Sequence, residues 1–129
     1  MENEKITLSI IIPCYNCAET ICECVESVVN EAIANNLSYE IIAVDDGSSD
    51  NTLLILNKLA FENKNIKVIS QSNSGPSVAR NVGCISLILA VKKKRFIHVH
   101  YRAKCKSYKR NKMIVHICII NRFLQCYFS

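Results

Sequence analysis

The stretch AVDDGSSDNT, residues 43–52, holds the densest group of side chains that can do chemistry. Asp45 and Asp46 are adjacent carboxylates that follow an apolar run, and a glycine, two serines and Asp50 come after them. Carboxylates at the end of a strand can bind a metal, accept hydrogen bonds from a nucleotide, or close a turn. The elements around the stretch decide among these three roles.

Three short runs rich in β-branched residues predict buried strands of a parallel sheet, over residues 6–13, 38–44 and 65–71. Between and after them, apolar residues at helical spacing predict a helix from about residue 18 and a second helix over 51–62, capped by Ser49 or Asp50. Pro76 is placed to be the first residue of a third helix. The β-α-β-α-β-α order predicts a three-layer, Rossmann-like α/β domain over residues 1–91.

Residues 92–129 differ sharply from the rest. They contain eleven of the sixteen Lys and Arg residues and no Asp or Glu, whereas all eleven acidic residues lie at or before Glu62. With no sustained period, this part is expected to be an irregular basic tail. Three origins stay open: an arm for nucleic acid, a segment that lies on an anionic membrane, and the product of a frame disruption. We favour the frame disruption and consider nucleic acid the least favoured partner.

The acidic N-terminus lacks the features of a signal peptide, so we expect a cytoplasmic protein, with the tail as a means of contact with the inner membrane surface. A reducing compartment favours thiols over disulfides for the eight cysteines. A zinc site is the alternative, but Cys22 and Cys24 would lie about 200° apart on a helix and could not face one ion. No apolar stretch reaches the roughly 18–20 residues that span a bilayer.

The loops after the three strands should form one crevice, because ligands of open parallel sheets bind at the carboxyl ends of the strands. These loops carry PCYN, DDGSSD and NSGPSVARN. Their polarity could also reflect turn formation alone, because Asn, Asp, Gly and Ser favour turns. Neither a P-loop nor a dinucleotide-binding fingerprint follows the first strand, so bound phosphates would need a metal or cationic side chains.

In this order and spacing, SIIIPCYN, EIIAVDDGSSDNT and SNSGPSVARNVG resemble the N-terminal nucleotide-binding half of the family 2 glycosyltransferases, over roughly residues 5–90. The resemblance implies the GT-A fold and transfer of a sugar from a nucleotide diphosphate, most often UDP, to an acceptor hydroxyl. It also implies Mg²⁺ or Mn²⁺ as cofactor.

By the same resemblance, the backbone around Pro13 and the ring of Tyr15 would border the base. Asp46 would accept a hydrogen bond from the imide N–H of the base, a task that suits a group with acceptors only. Asp50 is interpreted instead as a helix cap.

The resemblance assigns three further residues to the nucleotide site. Asp45 would lie just inside the strand end and shape the loop. Gly75 would allow a close approach of the backbone to the ligand, and Arg80 would reach towards the base or the diphosphate.

The chain departs from the family pattern after the third helix. The pattern requires an Asp-x-Asp motif for the metal and, further on, a carboxylate base, and neither can exist without Asp or Glu after Glu62. His98 and His100 stand near the expected place, but imidazoles suit Zn²⁺, Cu²⁺ or Ni²⁺ better than Mg²⁺. The expected function is therefore that of a truncated glycosyltransferase-like protein with weak or no activity. The alternative is a non-catalytic nucleotide-binding or membrane-associated accessory protein.

Overall fold

The structure, a computed structural model, describes residues 8–90, 97–101 and 115–119, with the backbone alone for 87–90 and for the last two stretches. The strands and helices follow the chain in this order: β1 Leu8–Cys14, α1 Ile21–Ala34, β2 Tyr39–Asp46, α2 Thr52–Glu62, β3 Ile66–Gln71, α3 Pro76–Ala90, β4 Ile97–Tyr101 and β5 Val115–Ile119. The first six elements occur in the predicted order, and α3 begins at Pro76 as predicted.

Strands β1, β2 and β3 are parallel neighbours, with β2 in the middle. Alternate residues of β1 point to opposite faces of the sheet, so Ile10 and Ile12 pack with the buried side of α1 and with Leu56 of α2. On the other face, Ile11 packs beneath α3. The result is the three-layer, Rossmann-like arrangement of a GT-A half-domain.

Helix α3 lies very close to β1. A Cβ at Gly83 would come within 2.6 Å of Cγ2 of Ile11, so the absence of a side chain at Gly83 sets the distance between helix and sheet. Ala79, one turn earlier, is fully buried on the same face. These two small residues bring the N-terminal turn of α3 to the edge where the parallel strands end.

Strand β2 extends two residues further than predicted and includes both adjacent carboxylates. Asp45 pairs with Cys14 of β1 and with Ser70 of β3, and Asp46 pairs with Gln71. The predicted end of the strand relied on the polarity of the aspartates, but pairing with both neighbouring strands continues the extended backbone. Adjacent residues of a strand face opposite sides, so the two carboxylates point to different layers.

The basic tail differs from the expectation of an irregular segment in two stretches. Strand β5 pairs antiparallel with β1, and β4 pairs antiparallel with β5, so the sheet order is β3-β2-β1-β5-β4. The open edge of β1 presents unpaired backbone groups that a further strand can satisfy. The sheet is thus parallel in its first three strands and antiparallel beyond β1.

The described residues include five of the cysteines and all three helices, which bear on the predictions about thiols and membrane spans. The five cysteines among them, at positions 14, 17, 22, 24 and 84, all carry thiols rather than disulfides, as predicted. Cys24 is buried against the core whereas Cys22 is exposed, as the helical spacing required. Within the same residues, no helix has both the length and the apolar character needed to cross a membrane.

Candidate functional site

Three loops meet at the carboxyl ends of β1, β2 and β3, because these strands are parallel. They comprise residues 15–20, 47–51 and 72–75, and each leads into a helix. Direct hydrogen bonds join the first loop to the second, and the carboxylate of Asp46 joins the end of β2 to the third. The polar segments found in the sequence therefore form one connected edge.

Asp46 holds the loop between β3 and α3. Its Oδ1 accepts hydrogen bonds from Nε2 of Gln71 at 2.8 Å and from the backbone N–H of Ser74 at 2.8 Å, and its Oδ2 accepts one from the N–H of Gly75 at 2.9 Å. Only 3% of the residue is exposed. Three donors thus converge on one buried carboxylate.

These donors determine the charge state of Asp46. Burial raises the pKa of the carboxyl group, but the hydrogen bonds from Gln71, Ser74 and Gly75 outweigh burial and leave the pKa below its ordinary value. Asp46 is consequently ionised at neutral pH. It provides a fixed negative charge at the edge where the three loops meet.

Asp45 points to the opposite side of the sheet, towards the layer of α1 and α2. Its Oδ2 accepts a long hydrogen bond of 3.4 Å from the N–H of Ser48, at the start of the next loop. Its Oδ1 is buried and has no hydrogen-bond partner among the described residues. The structure therefore places Asp45 just inside the strand end, with one contact to the loop that follows.

Asn16 joins the first two loops. Its Oδ1 accepts hydrogen bonds from the N–H of Ser49 at 2.8 Å and from the N–H of Asp50 at 3.4 Å. Its own N–H donates to Oγ of Ser48 at 3.0 Å. The residue has φ of 46°, in the left-handed region that Asn tolerates better than most residues. Sequence reasoning missed this role, because the pattern does not reveal which loop Asn16 would meet.

Asp50 strengthens the same connection from the other side. Its Oδ1 accepts from the N–H of Thr52 at 2.9 Å, in the first turn of α2, although the N-cap position belongs to Asn51 and not to the predicted Ser49 or Asp50. Its Oδ2 accepts from the N–H of Ala18 at 3.1 Å, in the first loop. The hydrogen bond from the Thr52 hydroxyl holds the pKa of Asp50 below its ordinary value. Asp50 thus binds both the first turn of α2 and the first loop.

Two glycines shape the second and third loops. Gly47 has φ of 71°, and a Cβ there would lie 2.7 Å from the backbone nitrogen of Asn73, so the loops touch at this point. Gly75 has φ of 92°, and a Cβ there would meet no atom within 4 Å. Gly75 is therefore required for its backbone conformation, whereas Gly47 is required for both conformation and space. The role of Gly47 was not predicted from the sequence.

The remaining predicted site residues lie at the same edge. Pro13 is half-buried near the end of β1, and Tyr15, at the start of the first loop, is 52% exposed. Nε of Arg80 donates to the carbonyl oxygen of Pro76 at 3.0 Å, and its guanidinium also donates to Oγ of Ser77 at 2.9 Å. The guanidinium thus lies along the first turn of α3.

The parallel strands β1, β2 and β3, with polar loops at their carboxyl ends, form the part of the chain that matches a known protein family. A family model described as Glycosyl transferase family 2 matches residues 9–84, more than half of the chain. The chain belongs to glycosyl transferase family 2. The matched residues include all of β1 except Leu8, all of β2 and β3, and the three loops of the candidate site.

Curated members of the family show the same relation. Over 79 residues the chain is 40% identical to the hyaluronan synthase of Pasteurella multocida, and the aligned residues make up 61% of this chain and 8% of the synthase. Over 76 residues it is 42% identical to the poly(ribitol-phosphate) beta-glucosyltransferase of Bacillus spizizenii, with 57% and 12% covered. Over 77 residues it is 35% identical to glycosyltransferase GlyG of Streptococcus pneumoniae, with 59% and 25% covered. The chain thus corresponds to a quarter or less of the length of these relatives.

The described residues do not fit the metal that the family implies. Among them, no group of three or more His, Cys, Asp and Glu side chains could hold a metal ion. The carboxylates at the site face different layers or bind the loops, as Asp46 and Asp50 do. His98 and His100 lie on β4, but their side chains are outside the described residues.

Proposed function

We propose that the edge formed by the three loops binds the nucleotide part of a nucleotide diphosphate sugar, most often a UDP-sugar. Membership of glycosyl transferase family 2 supports a sugar-transfer role, and the names of the relatives are those of sugar polymer synthases and glycosyltransferases. The observation that carries the proposal is the ionised carboxylate of Asp46, held by three donors at the carboxyl end of β2.

Asp46 suits a base that offers a proton donor. A carboxylate has about four acceptor positions, and the donors from Gln71, Ser74 and Gly75 take three of them. The position left on Oδ2 suits the imide N–H of uracil. Cytosine presents an acceptor at the same ring position, so the site should prefer uridine to cytidine.

Other residues at the edge supply the remaining contacts. The half-exposed ring of Tyr15 and the end of β1 around Pro13 would border the base. Gly75 would allow the loop to approach the ligand, because it carries no side chain at the start of α3. Arg80, a cation near the N-terminal turn of the same helix, would attract the diphosphate.

We propose further that these 129 residues bind the donor but transfer its sugar weakly or not at all. The Mg²⁺ or Mn²⁺ expected for the family would need oxygen ligands near the diphosphate, and an acceptor hydroxyl would need a base. The chain has no carboxylate side chain after Glu62, and the described residues hold no suitable cluster. Non-catalytic nucleotide binding is therefore the activity expected of the isolated chain.

Titration with UDP, with and without Mn²⁺, tests both proposals. Weak binding that Mn²⁺ leaves unchanged is the expected result. Binding that Mn²⁺ strengthens, together with hydrolysis or transfer of a UDP-sugar, would refute the claim of low activity. If UDP does not bind under either condition, the nucleotide site itself is refuted.

A comparison of UDP with CDP tests the role of Asp46 in recognising the base. Loss of a hydrogen bond to a charged group costs about 1.5–3 kcal/mol, which corresponds to a loss of roughly 10- to 100-fold in affinity. Asp46→Asn should therefore lower the affinity for UDP more than the affinity for CDP, and so reduce the preference for uridine over cytidine. An equal loss for both ligands would assign Asp46 to the loop alone. Glu62→Gln is the matched control, because Glu62 is an exposed carboxylate at the far end of α2.

We propose further that the protein is cytoplasmic and that its basic tail contacts the inner surface of the membrane. Residues 92–129 carry eleven Lys and Arg residues without an acid, and such segments are attracted to anionic lipid by about 1 kcal/mol per basic residue. Co-sedimentation with anionic vesicles but not with neutral ones is expected. Equal sedimentation with both would contradict the proposal.

A further inference from the structure

The end of β1 carries a C-x-x-C sequence that the nucleotide site does not use. Cys14 is the last residue of the strand and is buried, while Cys17 lies in the first loop and is partly exposed. The Cys14 thiol donates to the carbonyl oxygen of Ile12 at 3.4 Å, and Cys17 packs against the core cluster that includes Cys14. Two thiols three residues apart and packed in one cluster, one buried and one reachable from solvent, have the arrangement of a resolving and an attacking thiol.

The surroundings of the pair assign the two roles. The hydrogen bond with Cys17, followed by burial, raises the pKa of Cys14 well above its ordinary value. The hydrogen bond from Cys14 lowers the pKa of Cys17 more than burial raises it. Cys17 therefore ionises first, and it is also the thiol that an oxidant can reach.

Asp45 completes the cluster. It pairs with Cys14 in the register of β1 and β2, so the two side chains leave the sheet on the same face. Its Oδ1 is buried and has no hydrogen-bond partner within the described part of the chain. After the hydrogen bond with Cys17 and burial, the charge of Asp45 further raises the pKa of Cys14, which favours Cys14 as the thiol that reacts second.

We propose that Cys14 and Cys17 form a reversible disulfide on exposure to a peroxide, and that this bond alters the junction between the first two loops. The Cys17 thiolate attacks one peroxide oxygen and becomes a sulfenic acid, and the hydroxide that leaves takes a proton from solvent to become water. Cys14 then attacks the Cys17 sulfur, and its thiol proton leaves with the displaced hydroxyl group as a second water. Two thiols lose two electrons in total, and one peroxide gains them.

The junction responds because Cys17 lies within it. The N–H of Cys17 donates to Oγ1 of Thr52 at 2.9 Å, at the start of α2. The neighbouring residues Asn16 and Ala18 bind the second loop through its Ser49 and Asp50. A covalent bond that draws Cys17 to Cys14 must change the backbone of the first loop, and so must strain these contacts.

Peptide mapping provides a direct test on the full chain. Cleavage after glutamate yields a peptide of residues 5–19 that contains Cys14 and Cys17 and no other cysteine, with Cys22 and Cys24 on separate peptides. After brief exposure to hydrogen peroxide and alkylation, this peptide should lack both alkyl groups and be lighter by two hydrogen atoms. Dithiothreitol should restore both alkylation sites. A crosslink to the peptide of Cys22 or Cys24, or sulfinic acid at Cys17 without a disulfide, would overturn the proposal.

Hydrogen exchange tests the effect on the junction without relying on nucleotide binding. Amides of residues 47–51 should exchange faster in the oxidised protein and return to their slower rate after reduction. Cys17→Ser should abolish the response to peroxide, whereas Cys22→Ser, at an exposed position on α1, should retain it. A disulfide that leaves these rates unchanged would refute the coupling.

The expected effect of the disulfide on UDP binding rests on the proposed function. A failure of the nucleotide proposal can be distinguished from a failure of the dithiol proposal. If reduced protein binds UDP, oxidation should lower the affinity and reduction should restore it. If reduced protein does not bind UDP, the nucleotide proposal fails while the mapping and exchange results still decide the dithiol proposal.

Discussion

Replacement of Asn16 tests the junction between the first two loops most directly. Asn16→Gly removes the acceptor that binds Ser49 and Asp50 but keeps a residue for which φ of 46° is easy. Asn16→Ala removes the same acceptor and also places a Cβ in the left-handed region. The difference between the two variants separates the hydrogen bonds from the backbone conformation.

The hydrogen bonds of Asn16 determine how much free energy of unfolding each variant should lose. The side chain accepts from two backbone N–H groups, at 2.8 and 3.4 Å, and also from Oγ of Ser49 at 3.3 Å. Each hydrogen bond contributes about 0.5–1.5 kcal/mol, and exposure and length place these towards the low end. We expect Asn16→Gly to reduce the free energy of unfolding by about 1–2 kcal/mol. Asn16→Ala should reduce it by roughly a further 1 kcal/mol, because the left-handed conformation disfavours Ala.

Equilibrium unfolding in urea, followed by circular dichroism, measures both differences through the midpoint and slope. Asn57→Ala is a suitable control, because Asn57 is an exposed residue within α2 and Ala favours a helix. The control should be neutral or slightly stabilising. If both Asn16 variants unfold within about 0.3 kcal/mol of the unmodified chain, well below a typical hydrogen bond, Asn16 does not hold the junction. If Asn16→Gly and Asn16→Ala lose equal free energy of unfolding, the expected cost of Ala in the left-handed conformation is refuted.

Two further predictions concern the other loops. Gly47→Ala should destabilise the fold by more than about 2 kcal/mol and Gly75→Ala by about 1–2 kcal/mol, because both have positive φ but a Cβ at Gly47 alone would collide with Asn73; equal losses in urea unfolding would contradict this ranking. The depressed pKa of Asp46 means that its stabilising contribution is complete above the pKa it has in the unfolded chain and is lost as pH falls through its lower pKa in the folded state. Unfolding curves should therefore show a steeper loss of stability with acid for the unmodified chain than for Asp46→Asn, and parallel acid profiles would argue against an ionised, hydrogen-bonded Asp46.

Much of the fold could be predicted because it depends on local patterns. The three β-branched runs became β1, β2 and β3, and Pro76 began α3, since its missing N–H costs nothing in the first turn. The tail strands could not be predicted, because β5 forms by pairing with the open edge of β1 and its own sequence has little periodicity. Strand formation by pairing is a property of two distant segments together.

The candidate site divides in the same way. Sequence by itself determined the family, the three polar loops at the strand ends and the presence of Asp45 and Asp46 in one of them. Only the tertiary structure decided that strand pairing carries both carboxylates inside β2, so that they face opposite layers. It also decided that Asp46 binds the loop at Gly75, and that Asn16 binds the loop at Ser49. Local residue types determine which groups are present, but hydrogen bonds between segments about thirty residues apart depend on how the parallel strands align.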